Sequence, residues 1–330
     1  MGLAVLACVL SFLLALYGTP IARAAALRFG VVDVPDGRLK NQVEPVPYMG
    51  GLAIYIAVLI SMCLFYSFDS RLLAILLSGT LVLLLGLIDD FGVLTPGAKF
   101  MGQIVAVMVL IKANVVIKIG VFPMSVNLIL TALWLIGMTN AMNIIDIMDG
   151  LAAGVSLVAS IVLFAVAIIN HHNMTAVFTA ALIGSLAGFL RYNFRPAKIY
   201  MGDTGSMFLG LTLGTLAIIG DYTAHNRIAF LNPLLIFGVA IFDTIFVMLL
   251  RSLRGISPFL GSKDHYAIRL KMLGWPVTRI VVISYSISSV LGALAILNMF
   301  LVFQTSLILY GSVALLFAGI GVWLSWVRIA

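Results

Sequence analysis

Charge is the scarcest feature of this chain: Asp, Glu, Lys and Arg together make up 9% of 330 residues, against 63% hydrophobic ones. With a mean hydropathy of +1.19 there is too little polar material to cover a water-soluble fold. Cysteine is nearly missing too. Cys8 and Cys63 sit singly inside apolar runs without ligand spacing, which excludes a disulfide framework or a cysteine zinc site and leaves them as packing residues. The two-residue alternation of barrel strands is also lacking. The apolar runs are instead continuous and repeat at membrane-spanning length, so the spans must be helices that satisfy their own backbone groups. No Lys or Arg precedes the first run, Leu3 to Tyr17, so it reads as a retained span and not as a cleaved leader. These absences define an all-α, polytopic integral membrane protein with a single transmembrane domain over residues 1–330.

Eleven spans are expected, at 2–18, 48–66, 72–88, 100–118, 125–141, 151–169, 174–190, 205–220, 228–250, 280–300 and 305–326. An odd number puts the termini on opposite sides. With the N-terminus outside and the C-terminus cytoplasmic, fifteen Lys and Arg fall inside: Arg23, Arg28, Arg38, Lys40, Lys99, Arg191, Arg195, Lys198, Arg251, Arg254, Lys263, Arg269, Lys271, Arg279 and Arg328. Only four, Arg71, Lys112, Lys118 and Arg227, fall outside. The net charge of +7 therefore reports the positive-inside rule and calls for no nucleic acid partner.

The acids sort the same way, although acids have little influence on orientation. Asp33, Asp36, Glu44, Asp89, Asp90, Asp146, Asp149, Asp203, Asp243 and Asp264 map to the inner face, and only Asp69 and Asp221 to the outer. His265 is the one histidine of four on the inner side. One face thus gathers the titratable chemistry.

Four clusters stand out there. Asp89 and Asp90 close the third apolar run; two adjacent carboxylates repel and call for a cation, and Lys99 begins the next run. Asn140, Asn143, Asp146 and Asp149 follow at three-residue steps, so on a helix the first three share a face and a break near Asp149–Gly150 is needed to bring in the fourth. Gly202 to Ser206, "GDTGS", opens the eighth span, where free backbone N–H groups and the helix dipole can receive an anion; Asp203 suits a hard cation, Lys198 a phosphate, and Tyr200 a stacked base. The fourth cluster is the long cytoplasmic loop 251–279, in which His265 and Arg269 share a face if "DHYAIRLKML" is helical. Each has a plainer reading: solvated boundary acids at Asp89 and Asp90, a membrane anchor at Lys99, a helix cap at Asp149, a belt residue at Tyr200, and an amphipathic helix lying on anionic lipid in the loop. A multi-span transporter would place its acids near the bilayer centre, often in repeated halves, whereas no repeat is evident and the acids here gather at one surface.

Together the motifs "DVPDGRLK…VPYMGG", "DD" with a downstream Lys, "NAMNIIDIMDGLA", "PAKIYMGDTGSMFLG" and "FDT…RSLRGISPFLGSKDHYAIRL" resemble, in order and spacing, the polyprenyl-phosphate N-acetylhexosamine-1-phosphate transferase family, in its WecA/TagO-like branch. The resemblance implies Mg²⁺-dependent transfer (Mn²⁺ as substitute) of a sugar-1-phosphate from a UDP-sugar to undecaprenyl phosphate, releasing UMP, at the cytoplasmic face of the bacterial plasma membrane. It implies Asn143 and Asp203 as metal holders, and Asp89 and Asp90 as the pair accepting or positioning the lipid phosphate. Lys99 would bind phosphate, Asp149 and Tyr200 would meet the uracil, and Asp146 would lie in the substrate site. His265 would be catalytic and Arg269 would bind near the sugar and phosphates; a homodimer is compatible with the family. Two departures are visible. Ile147 replaces the Gly that often follows the first Asp of the second motif, and the family's His-x-His-His-Arg survives here only as His265 and Arg269. The related muramoyl-pentapeptide transferases carry a His-rich run at that place, so its loss favours UDP-GlcNAc over another UDP-HexNAc or UDP-MurNAc-pentapeptide.

Overall fold

The computed structural model describes residues 1–33, 45–255 and 264–327. Asp36, Arg38, Lys40, Glu44, Lys263 and Arg328, mapped above to the inner face, lie outside these residues. In chain order the elements are α1 (Gly2–Phe29), β1 (Val32–Asp33), β2 (Val46–Pro47), α2 (Gly50–Phe65), α3 (Ser70–Asp90), α4 (Pro96–Lys112), α5 (Met124–Ile144), α6 (Leu151–Ile169) and α7 (Asn173–Asn193), followed by α8 (Gly202–Ile219), α9 (Asn232–Ile236), α10 (Gly238–Leu253), α11 (Tyr266–Met272), α12 (Val277–Asn298) and α13 (Phe303–Ser325).

Among the described residues, eight helices are long and apolar enough to cross a membrane: α1, α3, α5, α6, α7, α8, α12 and α13. The stretch Arg227–Ile236 and α10 make a ninth only as a pair bent by 73°, where one straight span over 228–250 was expected. The continuous apolar run hides the break. Asn232 Nδ2 donates to the Ala295 carbonyl at 2.8 Å and so ties α9 to α12, while Gly238 lets α10 turn away close to Leu291. Eleven is reached only by adding α2, of 16 residues, and α4, of 17. The first helix outruns its expected end at 18 because the Ala-rich stretch after Pro20 continues it to Phe29, where Gly30 at φ 70° terminates it by giving its N–H to Leu27 and Ala26 carbonyls. Cys8 is half-buried and Cys63 exposed, both as free thiols, so only Cys8 is enclosed as a packing residue would be.

Helices in lipid gain nothing from hydrophobicity against each other and rely on close approach through small residues. In α1, Ala4, Ala7, Ser11, Ala15 and Thr19 form a buried stripe, and it meets α7 at Gly184, where a Cβ would stand 2.0 Å from the Cys8 carbonyl oxygen. The centre of the bundle is α8, buried along nearly its whole length against α2, α3, α5 and α6. It comes close to α3 at Gly86, where a Cβ would lie 2.4 Å from the Asp203 carbonyl oxygen. This contact sets the end of α3 beside the start of α8. The strands pair antiparallel, Val32 opposite Pro47 and Asp33 opposite Val46, and the segment before α8 crosses onto them: Tyr200 N–H donates to Pro47 O at 2.9 Å, and Gly50 N–H to Tyr200 O at 3.0 Å.

Candidate active site

Four helix ends meet at one end of α8. The Lys99 ammonium, in the first turn of α4, donates to Asp89 Oδ2 at 2.6 Å and also to Asp203 Oδ2. Asp203 Oδ1 accepts from Asn143 Nδ2 at 2.8 Å, and the same amide reaches Ser206 Oγ at 2.9 Å. One cation therefore holds two carboxylates that would otherwise repel, and α3, α4, α5 and α8 are locked together at that point. Asn140 takes no part; it pairs with Gln103 of α4 through reciprocal amide bonds of 2.9 and 3.3 Å.

The two adjacent aspartates of α3 are doing different things. Asp90 Oδ1 accepts from the Asp203 N–H at 2.8 Å, and Asp90 Oδ2 accepts from the Thr204 N–H at 3.1 Å and Thr204 Oγ1 at 2.6 Å. The residue before α8, Met201, supplies no side-chain cap, so Asp90 caps α8 from a neighbouring helix. The "GDTGS" turn was expected to offer its free N–H groups to a ligand anion. The chain supplies that anion itself. Gly202, at φ 74°, makes room for it, since a Cβ there would stand 2.5 Å from Asp90 Oδ2.

The expected break in the second cluster comes early. α5 ends at Ile144, and Ile145 to Gly150 form a linker closed by Gly150 at φ 79°. The Asp146 carboxyl makes no hydrogen bond among the described residues; burial, then the charges of Asp203, Asp90 and Asp149, push it up to about 8. Asp149 Oδ2 accepts from the Ala197 N–H at 3.1 Å, with Arg195 Nη1 3.8 Å away. It does not cap α6 with its side chain. Tyr200 leans on Tyr48, ring centroids 6.1 Å apart; burial, then the nearby carboxylates of Asp149, Asp33 and Asp146, push its phenol up to about 12. Burial and a hydrogen bond to Asp33 raise Tyr48 further.

His265 and Arg269 join a different network. His265 precedes α11 as its N-cap residue, so the two do not share a helical face. The His265 Nδ1 lies 2.8 Å from Asp243 Oδ2, and Asp243 Oδ1 accepts the Tyr266 N–H at 2.9 Å. Arg269, expected to bind substrate, is fully buried: its guanidinium donates to Asp264 Oδ1 at 2.9 Å and to the Leu324 and Val327 carbonyls at 3.0 and 2.6 Å. It fastens the loop to the end of α13. Tyr266, Ala267 and Leu270 are buried as well, which rules out α11 as a helix lying on lipid.

Asn193 and Tyr285 escaped the sequence reading, and Asp243 was read there only as an inner-face acid. Asn193 accepts the Gly150 N–H at 3.1 Å and donates to the Ile199 carbonyl at 3.0 Å, so a single buried amide ties the Asp149 turn to the Tyr200 segment. Tyr285 donates to the Gly150 carbonyl at 2.5 Å, and Asp243 orients His265. A lone Asn at the end of an apolar run was the only signal for the first.

Hard oxygen donors gather where Asn143 and Asp203 meet. Asp203 Oδ2 meets Lys99 and Oδ1 meets Asn143, and among the described residues nothing donates to Asn143 Oδ1. Among the described residues no three His, Cys, Asp or Glu side chains close a cage of their own. A small divalent cation of the Mg²⁺ type fits such a site, since it takes one or two carboxylates and completes its shell with substrate phosphates and water.

Paired carboxylates, a shared lysine and open oxygen donors, set at the end of an apolar helix bundle, define a membrane-embedded enzyme acting on phosphorylated substrates. Residues 72–221 match the family model described as "Glycosyl transferase family 4". That stretch holds Asp89, Asp90, Lys99, Asn143, Asp146, Asp149, Tyr200 and Asp203 and stops before His265. The chain is 33% identical over 302 residues, 88% of its own length and 84% of the other's, to a Bacillus subtilis protein named probable undecaprenyl-phosphate N-acetylglucosaminyl 1-phosphate transferase. It is 33% identical over 307 residues, 82% of its length and 75% of the other's, to a Mycolicibacterium smegmatis decaprenyl-phosphate N-acetylglucosaminephosphotransferase. A phospho-N-acetylmuramoyl-pentapeptide-transferase of Caldicellulosiruptor bescii is 28% identical over 303 residues, 84% of this chain and 92% of that one. The chain belongs to glycosyl transferase family 4, as a membrane enzyme of the polyprenyl-phosphate N-acetylhexosamine-1-phosphate transferase group.

Proposed function

We propose that the chain transfers GlcNAc-1-phosphate from UDP-GlcNAc to undecaprenyl phosphate with Mg²⁺, giving undecaprenyl-diphospho-GlcNAc and UMP at the start of cell-envelope polysaccharide synthesis. The observation that carries this reading is the Lys99 ammonium held between Asp89 and Asp203, with Asn143 on the other oxygen of Asp203. An oxygen of the lipid phosphate forms a bond to the sugar-bearing phosphorus of the donor; the bond from that phosphorus to the bridging oxygen breaks, and that oxygen leaves with UMP. Two anions must approach, so the protein's task is to neutralise and align them.

An ammonium has three N–H donors, and two of those on Lys99 are engaged by carboxylates, so the third is free for a phosphate oxygen. Asp89 faces the same point and orients the acceptor phosphate through Lys99. Asp203 and Asn143 would hold the Mg²⁺, which when bound offsets charge on the diphosphate. Asp149 and Tyr200 take the uracil, and Asp146 keeps its open carboxyl beside the reacting groups. With Nδ1 held by Asp243, His265 has Nε2 left for the donor. Asp90 and Arg269 act by positioning. The identity of the donor sugar is supported by the names of the Bacillus and mycobacterial relatives and by the reduced histidine motif. The placement is eleven spans with the N-terminus outside and the site at the cytoplasmic face of the bacterial plasma membrane, supported by the distribution of Lys and Arg.

Purified full-length protein incubated with radiolabelled UDP-GlcNAc, C55-phosphate and Mg²⁺ is expected to yield a butanol-extractable labelled lipid and UMP, and Asp203→Asn to lose turnover with the fold intact. No lipid product from any UDP-HexNAc overturns the reading.

A further inference from the structure

Beside the candidate active site, the end of α7 and the segment after it form a second concavity, of about 510 Å³, lined by Leu190, Arg191, Phe194, Arg195, Pro196 and Lys198. Three of its six lining residues are cationic, and none is acidic. Arg23 of α1 is tied to this segment, its Nε donating to the Lys198 carbonyl at 3.0 Å. Neither Arg191 nor Lys198 has a carboxylate within ion-pair distance among the described residues, and Arg195 reaches only Asp149, at 3.8 Å.

Uncompensated positive charge of this kind has two ordinary meanings at a membrane boundary. Scattered anchors project separately into the headgroup layer. Here the cations line a hollow whose other walls, Leu190 and Phe194, are apolar, and they converge from two elements through the Arg23 bond. A ligand matching that surface carries an anionic phosphate beside a hydrocarbon part. The hollow lies at the end of a helix long and apolar enough to cross a membrane, and the segment that lines it also meets Asp149 through the Ala197 N–H.

We propose that this hollow binds the phosphodiester headgroup of an anionic phospholipid, as a site separate from the one taking the acceptor. Arg191 and Lys198 hold the phosphate, Arg23 buttresses Lys198 through its carbonyl, and Leu190 and Phe194 contact the glycerol and first methylenes. The bound lipid also touches function, because Arg195 and Ala197 belong to the segment that holds Asp149.

The test uses full-length protein in phosphatidylcholine nanodiscs doped with phosphatidylglycerol. Lipids retained on the protein are counted by native mass spectrometry and, separately, by the immobilised fraction of spin-labelled phosphatidylglycerol. Wild type is expected to retain phosphatidylglycerol over phosphatidylcholine, and the double variant Arg191→Gln/Lys198→Gln to lose about thirty-fold in that preference, the worth of two basic side chains at a charged lipid surface. Arg191→Lys/Lys198→Arg keeps the charges and is expected to retain it, which separates lost binding from lost folding. Absence of a preference in wild type, or a double variant that keeps it, overturns the proposal. Soluble inorganic phosphate and UMP are titrated in detergent as a second arm; binding of either that the double variant abolishes, with lipid preference unchanged, assigns the hollow to a soluble phosphate and also overturns it. Neither readout depends on turnover, so the result stands apart from the identity of the sugar donor.

Discussion

Removing the Asp90 carboxylate is the sharpest test of how the two adjacent aspartates divide their work. Asp90→Ala strips the acceptor from three donors at 2.8, 3.1 and 2.6 Å, and one of the residues left behind, Thr204, is completely buried. An N-cap replaced by Ala costs about 0.5–2 kcal/mol, and a buried donor left without a partner about 1–3 kcal/mol, so with two backbone N–H groups affected a loss of about 3 kcal/mol is expected. For a chain of this size that is a fall in Tm of roughly 4 °C, read by intrinsic fluorescence in detergent. Asp203 sits on the loosened first turn, so turnover falls with stability. Asp90→Asn keeps one acceptor oxygen and is expected to recover most of the Tm and to stay within about ten-fold of wild-type UMP release, the range of a ~1.4 kcal/mol change in the barrier. Were Asp90→Asn to melt like wild type and yet lose more than about a thousand-fold in turnover, Asp90 would be acting on the reacting groups and the capping argument would be refuted.

Asp146 gives a pH dependence. Its folded carboxyl titrates at about 8 against an ordinary 3.8, so its contribution to stability is complete below pH 4 and is lost as pH rises through 8. In chelator, wild-type Tm is expected to decline over that window and Asp146→Asn to flatten the decline; an equal slope in both removes Asp146 as the cause. Arg269→Ala leaves Asp264 with one fewer partner inside the protein, and breaking so buried a pair costs about 3–5 kcal/mol. Proteolysis at the 251–279 loop is expected to speed up while the KM for UDP-sugar in the surviving folded fraction holds; a selective rise in KM with unchanged Tm would return Arg269 to the substrate. Asn193→Ala unties the Asp149 turn from the Tyr200 segment and is expected to raise the donor KM about ten-fold, with Asn193→Gln failing to rescue because the longer amide cannot make both the 3.1 and 3.0 Å bonds. An unchanged KM in both variants would remove Asn193 from the uracil side.

Apolar runs carried most of the architecture. The sixth span was expected at 151–169 and is Leu151–Ile169, because Gly150 supplies a sharp start and a polar turn a sharp stop. Residues joined across many positions were the hard part. Sequence placed Asp89, Lys99, Asn143 and Asp203 on one face, and the structure brings these four into direct contact. It had no means to see that Asp90, chemically identical to its neighbour and adjacent to it, turns about 100° further around α3 and meets the backbone of α8 instead. Nor does a four-residue spacing reveal that His265 lies outside the helix on which Arg269 sits, since the helix starts one residue later.

The sealed end of α8 leaves its mark on how this enzyme handles phosphate. Where an open helix tip grips an anion, peptide dipoles supply the attraction, and these are permanent, insensitive to acidity and indifferent to most side-chain replacements. Asp90 has already spent that resource. What remains for a phosphate group is the Lys99 ammonium and any divalent ion that the oxygen donors recruit; salt screens the first and a chelator removes the second. Donor capture should therefore weaken steeply when ionic strength rises or chelator is added, more than it would in a nucleotide enzyme built on a glycine-rich backbone cradle.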